Sequence, residues 1–447
     1  MRPSGASTGL QTRAQAARYG LLGLPLAFVA LPVYVHLPQH HAREFAMPLA
    51  TLGMVLLLSR LLDALIDPRI GQAVDALYRR SRRAVATAAV LLSVLLAVGF
   101  LALFVVPQGL HAGGMALWAW MVAALAICHV ACSALLVLHQ AWAARQGGGA
   151  GAQSRWVAWR EGLGLLGVLL ACVLPVLAGW WITWAVLCAA LVAGLWCWRA
   201  LVGQWSPALQ QPSASAIDAE GSSPGLWQPW RHAMFRRLLA VFTVNGMASA
   251  IPATLVLFFV EDRLQAPPAW QPVFLGLYFL AGALSMPLWL AVMACRGLLQ
   301  AWWLGMWLSV LTFAGVLLLG PGDLGAFALV CALSGMALGA DLSAPGALLN
   351  QTIDACGQRG RSDGAFIGWW GLATKLNLAL AAGLALPLLG AWGYAPGQQD
   401  PQALQALGLA YGLLPCLLKL LAIGLLWRGL MAPVAKLPLS VSGSNHV

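Results

Sequence analysis

The stretch Arg60-Leu-Leu-Asp63-Ala-Leu-Ile-Asp67-Pro68 decides how this chain is read. It closes a hydrophobic run that otherwise suits lipid, yet it carries three ionisable side chains. A charge at bilayer depth costs about 2.5–3.5 kcal/mol on insertion scales, so intramembrane charges usually mark function. Positions 60, 63 and 67 are three and four apart and share one face of a helix. One cation and two carboxylates facing one way inside a membrane point to an ion site.

The run belongs to a series. The chain has 447 residues, 61% of them hydrophobic and 9% charged, with a mean hydropathy of +0.80. Soluble domains of this length do not have that composition. Twelve apolar stretches each suffice to cross a hydrocarbon core of about 30 Å. They fall at roughly 18–38, 46–68, 83–106, 114–141, 160–178, 180–202, 236–260, 271–293, 298–320, 323–347, 365–390 and 403–428. The predicted class is an all-α membrane protein of twelve transmembrane helices. Spans five and six nearly fuse at Gly179-Trp180-Trp181, which requires a sharp turn. Residues 1–17 are polar and basic and the first apolar run is full length, so span one is expected to be a retained anchor.

The long polar stretch 203–235 begins Gly203-Gln-Trp-Ser-Pro and is rich in Ser, Pro, Gln and Gly, which suits a solvated linker. It divides the chain into an N-terminal six-helix bundle (1–202), a cytoplasmic linker (203–235) and a C-terminal six-helix bundle (236–447). Two such bundles are the architecture of a carrier with its substrate site near the midplane. A second irregular stretch, Gly147-Gly-Gly-Ala-Gly-Ala-Gln-Ser, joins spans four and five. It lacks the Gly-Lys-Ser/Thr ending of a phosphate loop, so it is read as a flexible cytoplasmic loop.

The net charge of +11 is distributed as a membrane protein distributes it. With the N-terminus in the cytoplasm, the outside loops hold only Arg43 and Arg263. Arg60, Lys375 and Lys419 lie within spans, and all other Lys and Arg face the cytoplasm. That asymmetry orients both termini inward, across a bacterial-type inner membrane. A nucleic-acid partner would need a soluble basic surface with exposed aromatics, which the chain lacks. The nine cysteines are scattered singly with no CxxC pair and read as buried small hydrophobes.

Several side chains carry candidate chemistry. Asp63 and Asp67 stand one helical turn apart, and a bound Na⁺ or H⁺ relieves the repulsion between them. The structural alternative is an Arg60–Asp clamp between helices. Lys375, in Gly371-Leu-Ala-Thr-Lys-Leu-Asn377, needs a partner at its depth, and the span-two carboxylates are the candidates. The alternative is snorkelling to the cytoplasmic face. Lys419 is read as snorkelling or in a structural pair. Asp341, in Gly339-Ala-Asp341-Leu-Ser-Ala-Pro345, lies where a proline kink frees backbone carbonyls. His139, Gln140 and Trp142 at the end of span four suit a polar ligand that both stacks and hydrogen-bonds. Tyr34 and Asp341 complete this candidate substrate set. Gly71-x-x-x-Asp75-x-x-x-Arg79-Arg80 after span two suits an interhelical charge network that latches one state of a rocking carrier.

That last pattern resembles the signature loop of the major facilitator superfamily. Arg60-x-x-Asp63-x-x-x-Asp67-Pro68-x-x-Gly71-x-x-x-Asp75 resembles the glycoside–pentoside–hexuronide:cation symporters, the group of melibiose permease. A second block agrees: Ala340-Asp341-Leu-Ser-Ala-Pro345, Asp354, Gly364-Ala-Phe-Ile-Gly368, Lys375 and Gly393-Tyr394. The resemblance implies the two-bundle major facilitator fold, with Asp63 and Asp67 as cation ligands, Lys375 beside them and Trp142 in a sugar site. The departures are specific. Pro25 stands where that family's span-one sugar aspartate would be, the span-four sugar aspartate has no acidic counterpart, and Ile66 replaces an asparagine that helps ligate Na⁺. The related lysophosphatidylcholine transporters keep an amphiphilic substrate open.

The expected function is therefore cation- or proton-coupled symport of a small sugar-like solute, in a monomer needing no cofactor beyond Na⁺ or H⁺. An exporter or lysolipid carrier on the same fold is the main alternative. A polytopic membrane enzyme is the distant one, because the eight histidines form no cluster with acids or thiols near an interface.

Overall fold

The computed structural model describes residues 5–45, 47, 49–110, 114–146, 149–204, 225–394 and 400–432. Within them the chain is helical nearly throughout. The first half comprises α1 (Gly5–Gly20), α2 (Gly23–Leu31), α3 (Leu37–Glu44), α4 (Leu49–Arg80), α5 (Arg82–Phe104), α6 (Met115–Gln146) and α7 (Ala150–Gln204). The second half comprises α8 (Ala233–Phe258), α9 (Trp270–Arg296), α10 (Leu298–Val316), α11 (Leu324–Ala355), α12 (Asp363–Ala391), α13 (Pro401–Gly408) and α14 (Leu414–Leu426). Ten helical segments among the described residues are long and apolar enough to cross a membrane. They correspond to ten of the twelve expected spans. The other two are α4 and α12, of 32 and 29 residues. Helix α4 has the length, but Arg60, Asp63, Asp67, Arg69 and Asp75 interrupt its apolar character.

Local chemistry sets the breaks. Ser81 is extended between α4 and α5, and its Oγ accepts from the Ala84 N–H at 3.0 Å, capping α5. The turn expected at Gly179 exists inside α7: its φ of 74° is one that only glycine adopts without cost. It marks a kink where two helices meet within α7. The expected flexible loop after α6 is shorter than its glycines suggested. Helix α7 starts at Ala150, and Gln153 and Ser154 are buried. Of the expected linker, residues 205–224 lie outside the described residues. Its last part runs through Gly225 to His232 and is tied to α12, where the Trp369 indole N–H donates to the Leu226 carbonyl at 2.8 Å.

Close packing without side chains joins the elements. A Cβ on Gly167 of α7 would sit 2.2 Å from the Leu24 carbonyl oxygen, so α2 and α7 touch backbone to backbone. Between the chain halves, α12 lies along α4, and α7 packs against both α9 and α11. The α4–α12 contact positions the site.

Candidate ion and substrate site

Three glycines on one face of α12, at 364, 368 and 371, bring it against α4. A Cβ at Gly364 would lie 2.2 Å from the Gly71 carbonyl oxygen, and one at Gly368 would lie 2.5 Å from that of Asp67. At Gly371 it would lie 2.7 Å from an Asp67 carboxylate oxygen. Lys375 is the next residue on the same face, at spacing 4, 3 and 4. Contact through glycine therefore delivers its amine to α4.

The Lys375 ammonium lies 2.7 Å from Asp63 Oδ2, 2.7 Å from Asp67 Oδ1 and 2.8 Å from Ser133 Oγ. Its three protons thus meet three acceptors. Ser133 Oγ in turn donates to Asp63 Oδ1 at 2.8 Å. Asp63 and Asp67 are 5% and 2% exposed, so both carboxylates are nearly dehydrated. Two carboxylates against one ammonium leave one formal negative charge in a dry site, which one more cation would neutralise. Four residues before Ser133 on α6, the His129 Nδ1 lies 2.9 Å from Ser59 Oγ. Arg60, three residues before Asp63 on α4, is half-buried. The Asp63 and Asp67 carboxylates both pair with Lys375. Reading the sequence alone overlooked Ser133 and His129. Their four-residue spacing on α6 was the available signal.

Above this pair lies a cavity of about 290 Å³ with walls from both chain halves. Asp67, Ser133, Gln140, Asp341 and Lys375 line it. So do Arg160 and Glu161, an ion-paired couple on α7 that the sequence reading missed. One wall is aromatic: the rings of Phe242 and Trp370 stack at 3.7 Å, and both line the cavity. Asn350 Nδ2, also on the wall, donates to Gln153 Oε1 at 2.8 Å and joins the halves.

Of the candidate substrate residues, Gln140 and Asp341 reach this cavity, whereas His139 and Trp142 do not. Cavity-facing positions on α6 are 133, 136, 137 and 140, one helical stripe. Positions 139 and 142 fall on another face. There His139 stacks on Tyr19 at 4.0 Å, with its Nε2 3.0 Å from the Tyr19 carbonyl oxygen, and Trp142 stacks on Tyr19 at 5.5 Å. Their role is packing α6 against α1. The Tyr34 side chain lies outside the described residues.

Asp341 also has partners of its own. Its Oδ1 accepts from Asn245 Nδ2 at 3.1 Å and Trp302 Nε1 at 3.0 Å, and its Oδ2 pairs with Lys419. Lys419 is thus in an internal pair and does not snorkel. Pro345 has no N–H to give to the carbonyl of Asp341 four residues back, as expected of a proline inside α11.

The charge network after α4 differs in membership from the expectation. Asp75 accepts from Arg145 Nη2 at 2.7 Å and from the backbone N–H groups of Gly364 and Ala365 at 2.8 and 3.0 Å. Arg145 also reaches Asp363 at 3.1 Å and lies 4.0 Å over the Tyr78 ring. Asp75 and Gly71 belong to the contact as expected, with α6 supplying the arginine. Arg79 and Arg80 end α4 and are exposed, because the helix has by then run past α12. Arg79 Nη1 reaches only the Arg361 carbonyl, at 3.3 Å. Asp75, Arg145 and Asp363, with the Gly71–Gly364 contact, hold α4 and α12 closed together about one helical turn beyond the cavity-lining Asp67 and Ile367.

Comparison with known proteins adds to this geometry. A family model described as MFS/sugar transport protein matches residues 18–430. A bacterial homologue of the iron transporter ferroportin, solved in an outward-facing state, is similar in structure with a TM-score of 0.68. It is 16% identical, and the match covers 92% of this chain and 99% of that one. The major facilitator superfamily transporter FucP in its outward conformation has a TM-score of 0.62 at 12% identity, over 92% of this chain and 98% of its own. A variant of the E. coli fucose:proton symporter FucP has a TM-score of 0.59 at 12% identity, with the same coverage. No curated protein matches by sequence. At such identities the likeness to solved structures speaks to the fold.

Proposed function

The chain belongs to the MFS/sugar transport protein family and is a membrane transporter of the major facilitator fold, and from that premise we propose that it couples a small sugar-like solute to a cation or proton. The observation that carries this reading is Lys375 seated between Asp63 and Asp67. The ammonium occupies the place a coupling ion needs. An arriving H⁺ or Na⁺ neutralises one carboxylate and loosens Lys375. The amine then points into the cavity, where a substrate hydroxyl can accept from it. Ion and substrate thus favour each other through one side chain, which is coupling in the thermodynamic sense. Ile66 beside the carboxylates supplies no oxygen, which favours H⁺ as the ion.

The cavity suits a sugar. The Phe242–Trp370 stack offers a flat apolar wall, and Gln140, Asn350 and the Arg160–Glu161 pair offer donors and acceptors. The finer assignment to the glycoside–pentoside–hexuronide:cation symporters rests on the Asp63, Asp67 and Lys375 pattern. Twelve spans in two six-helix bundles, both termini cytoplasmic in an inner membrane, and function as a monomer complete the reading. Alternating access then requires α4 and α12 to part at Gly71–Gly364 while the outer end closes. Membership of a transporter family supports transport over the membrane-enzyme alternative.

The test is uptake by vesicles under an imposed proton or sodium gradient, with glycosides as substrates. Asp67→Asn is expected to abolish gradient-driven accumulation while the protein inserts normally. Undiminished accumulation by that variant overturns the assignment. Accumulation only under an outward-driving arrangement makes the protein an exporter.

A further inference from the structure

The seam between α7 and α9 holds a groove that the proposed transport cycle does not use. It has a volume of about 660 Å³, and its walls come from the two chain halves. Small residues open it: Ala158 and Gly162 on α7 face Ala283 and Ala291 on α9. A Cβ at Gly162 would already touch Met286 Cγ at 3.4 Å. The groove faces outward, since Leu284 on its rim is 71% exposed. It is separate from the central cavity, because Arg160 and Glu161 point to the cavity while Trp159 and Gly162 of the same helix line the groove.

Its ends differ in chemistry. From Gly151 to Leu166 the α7 wall runs about 22 Å along the helix axis, the length of an extended acyl chain. Arg13 of α1 and Arg155 of α7 stand at the end nearest the start of α7, and none of the described residues lining the groove is acidic. Guanidinium groups match phosphate oxygens in pairs. An apolar, outward-facing slot headed by two arginines fits one kind of occupant. We propose that this groove binds an anionic phospholipid, with the phosphate on Arg13 and Arg155 and an acyl chain along α7. Because its walls belong to different halves, a bound lipid holds them at their present spacing. The proposal is independent of the ion-coupling reading and stands if that reading fails.

The test uses the full chain purified in dodecylmaltoside, with palmitoyl-oleoyl phosphatidylglycerol and the matching phosphatidylcholine as probes. Retained lipid is counted by native mass spectrometry and the melting midpoint is read in parallel. Phosphatidylglycerol is expected to be retained preferentially and to raise the midpoint. Arg13→Gln with Arg155→Gln is expected to weaken its retention roughly thirtyfold, two cations' worth. Ala291→Phe, which fills the slot at an exposed position, is expected to reduce retention with both arginines in place. Equal retention of the two lipids, or wild-type retention by both variants, overturns the proposal. So does the same stabilisation by inorganic phosphate alone, which makes the arginines a simple anion site. Retention that rises when residues 205–224 are deleted, with no headgroup preference, identifies the acidic Asp218–Glu220 segment as the occupant and likewise overturns it.

Discussion

Lys375 Nζ stands 2.7 Å from Asp67 Oδ1, although 308 residues separate the two in the chain. The pair links the chain halves, and the glycine face of α12 makes the approach possible. Two carboxylates and one ammonium form a set in which removing different members has opposite consequences.

Lys375→Ala leaves Asp63 and Asp67 facing each other without a counter-charge. Breaking a buried pair by removing one partner costs about 3–5 kcal/mol. A large drop in melting midpoint is expected at neutral pH. Adding Asp67→Asn should recover most of it, because a single carboxylate then remains with Ser133 as donor. Recovery of Lys375→Ala by Na⁺ at constant pH would identify a sodium site, and recovery by acidification alone a proton site. Unchanged melting in Lys375→Ala would show that the ammonium is not needed to neutralise the pair.

Arg145 and Arg79 separate in their expected effects. Arg145 is 2% exposed and serves Asp75 and Asp363 together, a task for a planar guanidinium. Arg145→Lys should therefore destabilise this α4–α12 closure even though the charge is kept. Arg79→Ala should change stability by less than about 1 kcal/mol, as exposed polar contacts do. Chemical denaturation of the two variants in detergent checks the order. Equal effects would return Arg79 to the network.

Much of the charged cluster was legible because charge is expensive in lipid. Asp63, Asp67 and Lys375 stand out for that reason, and a buried lysine needs a nearby acid, so their pairing was readable. Arg145 was hidden by the same logic: a basic residue near a helix end reads as one more positive-inside charge. His139 and Trp142 were misplaced because proximity in sequence says nothing about helical phase. The stripe 133, 136, 137 and 140 would have assigned Gln140 to the cavity and the other two to the core. Ser133 and His129 carry no anomaly of composition and gain meaning only when α4 is laid beside α6.

Gly71 and Gly364 meet about one helical turn beyond the cavity-lining Asp67 and Ile367, where a Cβ would lie 2.0 to 2.2 Å from the opposing carbonyl oxygen. Gly364→Leu should hold α4 and α12 apart and shift the population toward the state open at this end. A reporter cysteine at Gln140, in a background lacking the nine native cysteines, reads this directly. A membrane-impermeant thiol reagent applied from the α4–α5 side should label it faster in the variant. Unchanged labelling would place the constriction elsewhere, with Asn350 and Gln153 the next contact to test.

His41 adds a pH dependence outside the spans. It is fully buried, and its Nε2 lies 2.7 Å from the Leu103 carbonyl oxygen at the end of α5. Burial pushes its pKa below the ordinary 6.5, an effect that the hydrogen bond to the Leu103 carbonyl only partly offsets. His40 is lowered too, again by burial, against the opposing charge of Glu44. A folded pKa below the unfolded one means the unfolded chain binds more protons as pH falls past 6.5. The stability that neutral His41 contributes is then fully present above that pH and is lost progressively below it, down to the folded pKa. The melting midpoint should accordingly fall between about pH 7 and pH 5. His41→Gln, which keeps a donor for the carbonyl but cannot titrate, should flatten that slope while leaving the midpoint at pH 7 nearly unchanged. A variant slope as steep as the wild type would assign the acid sensitivity to the neighbouring His40 instead.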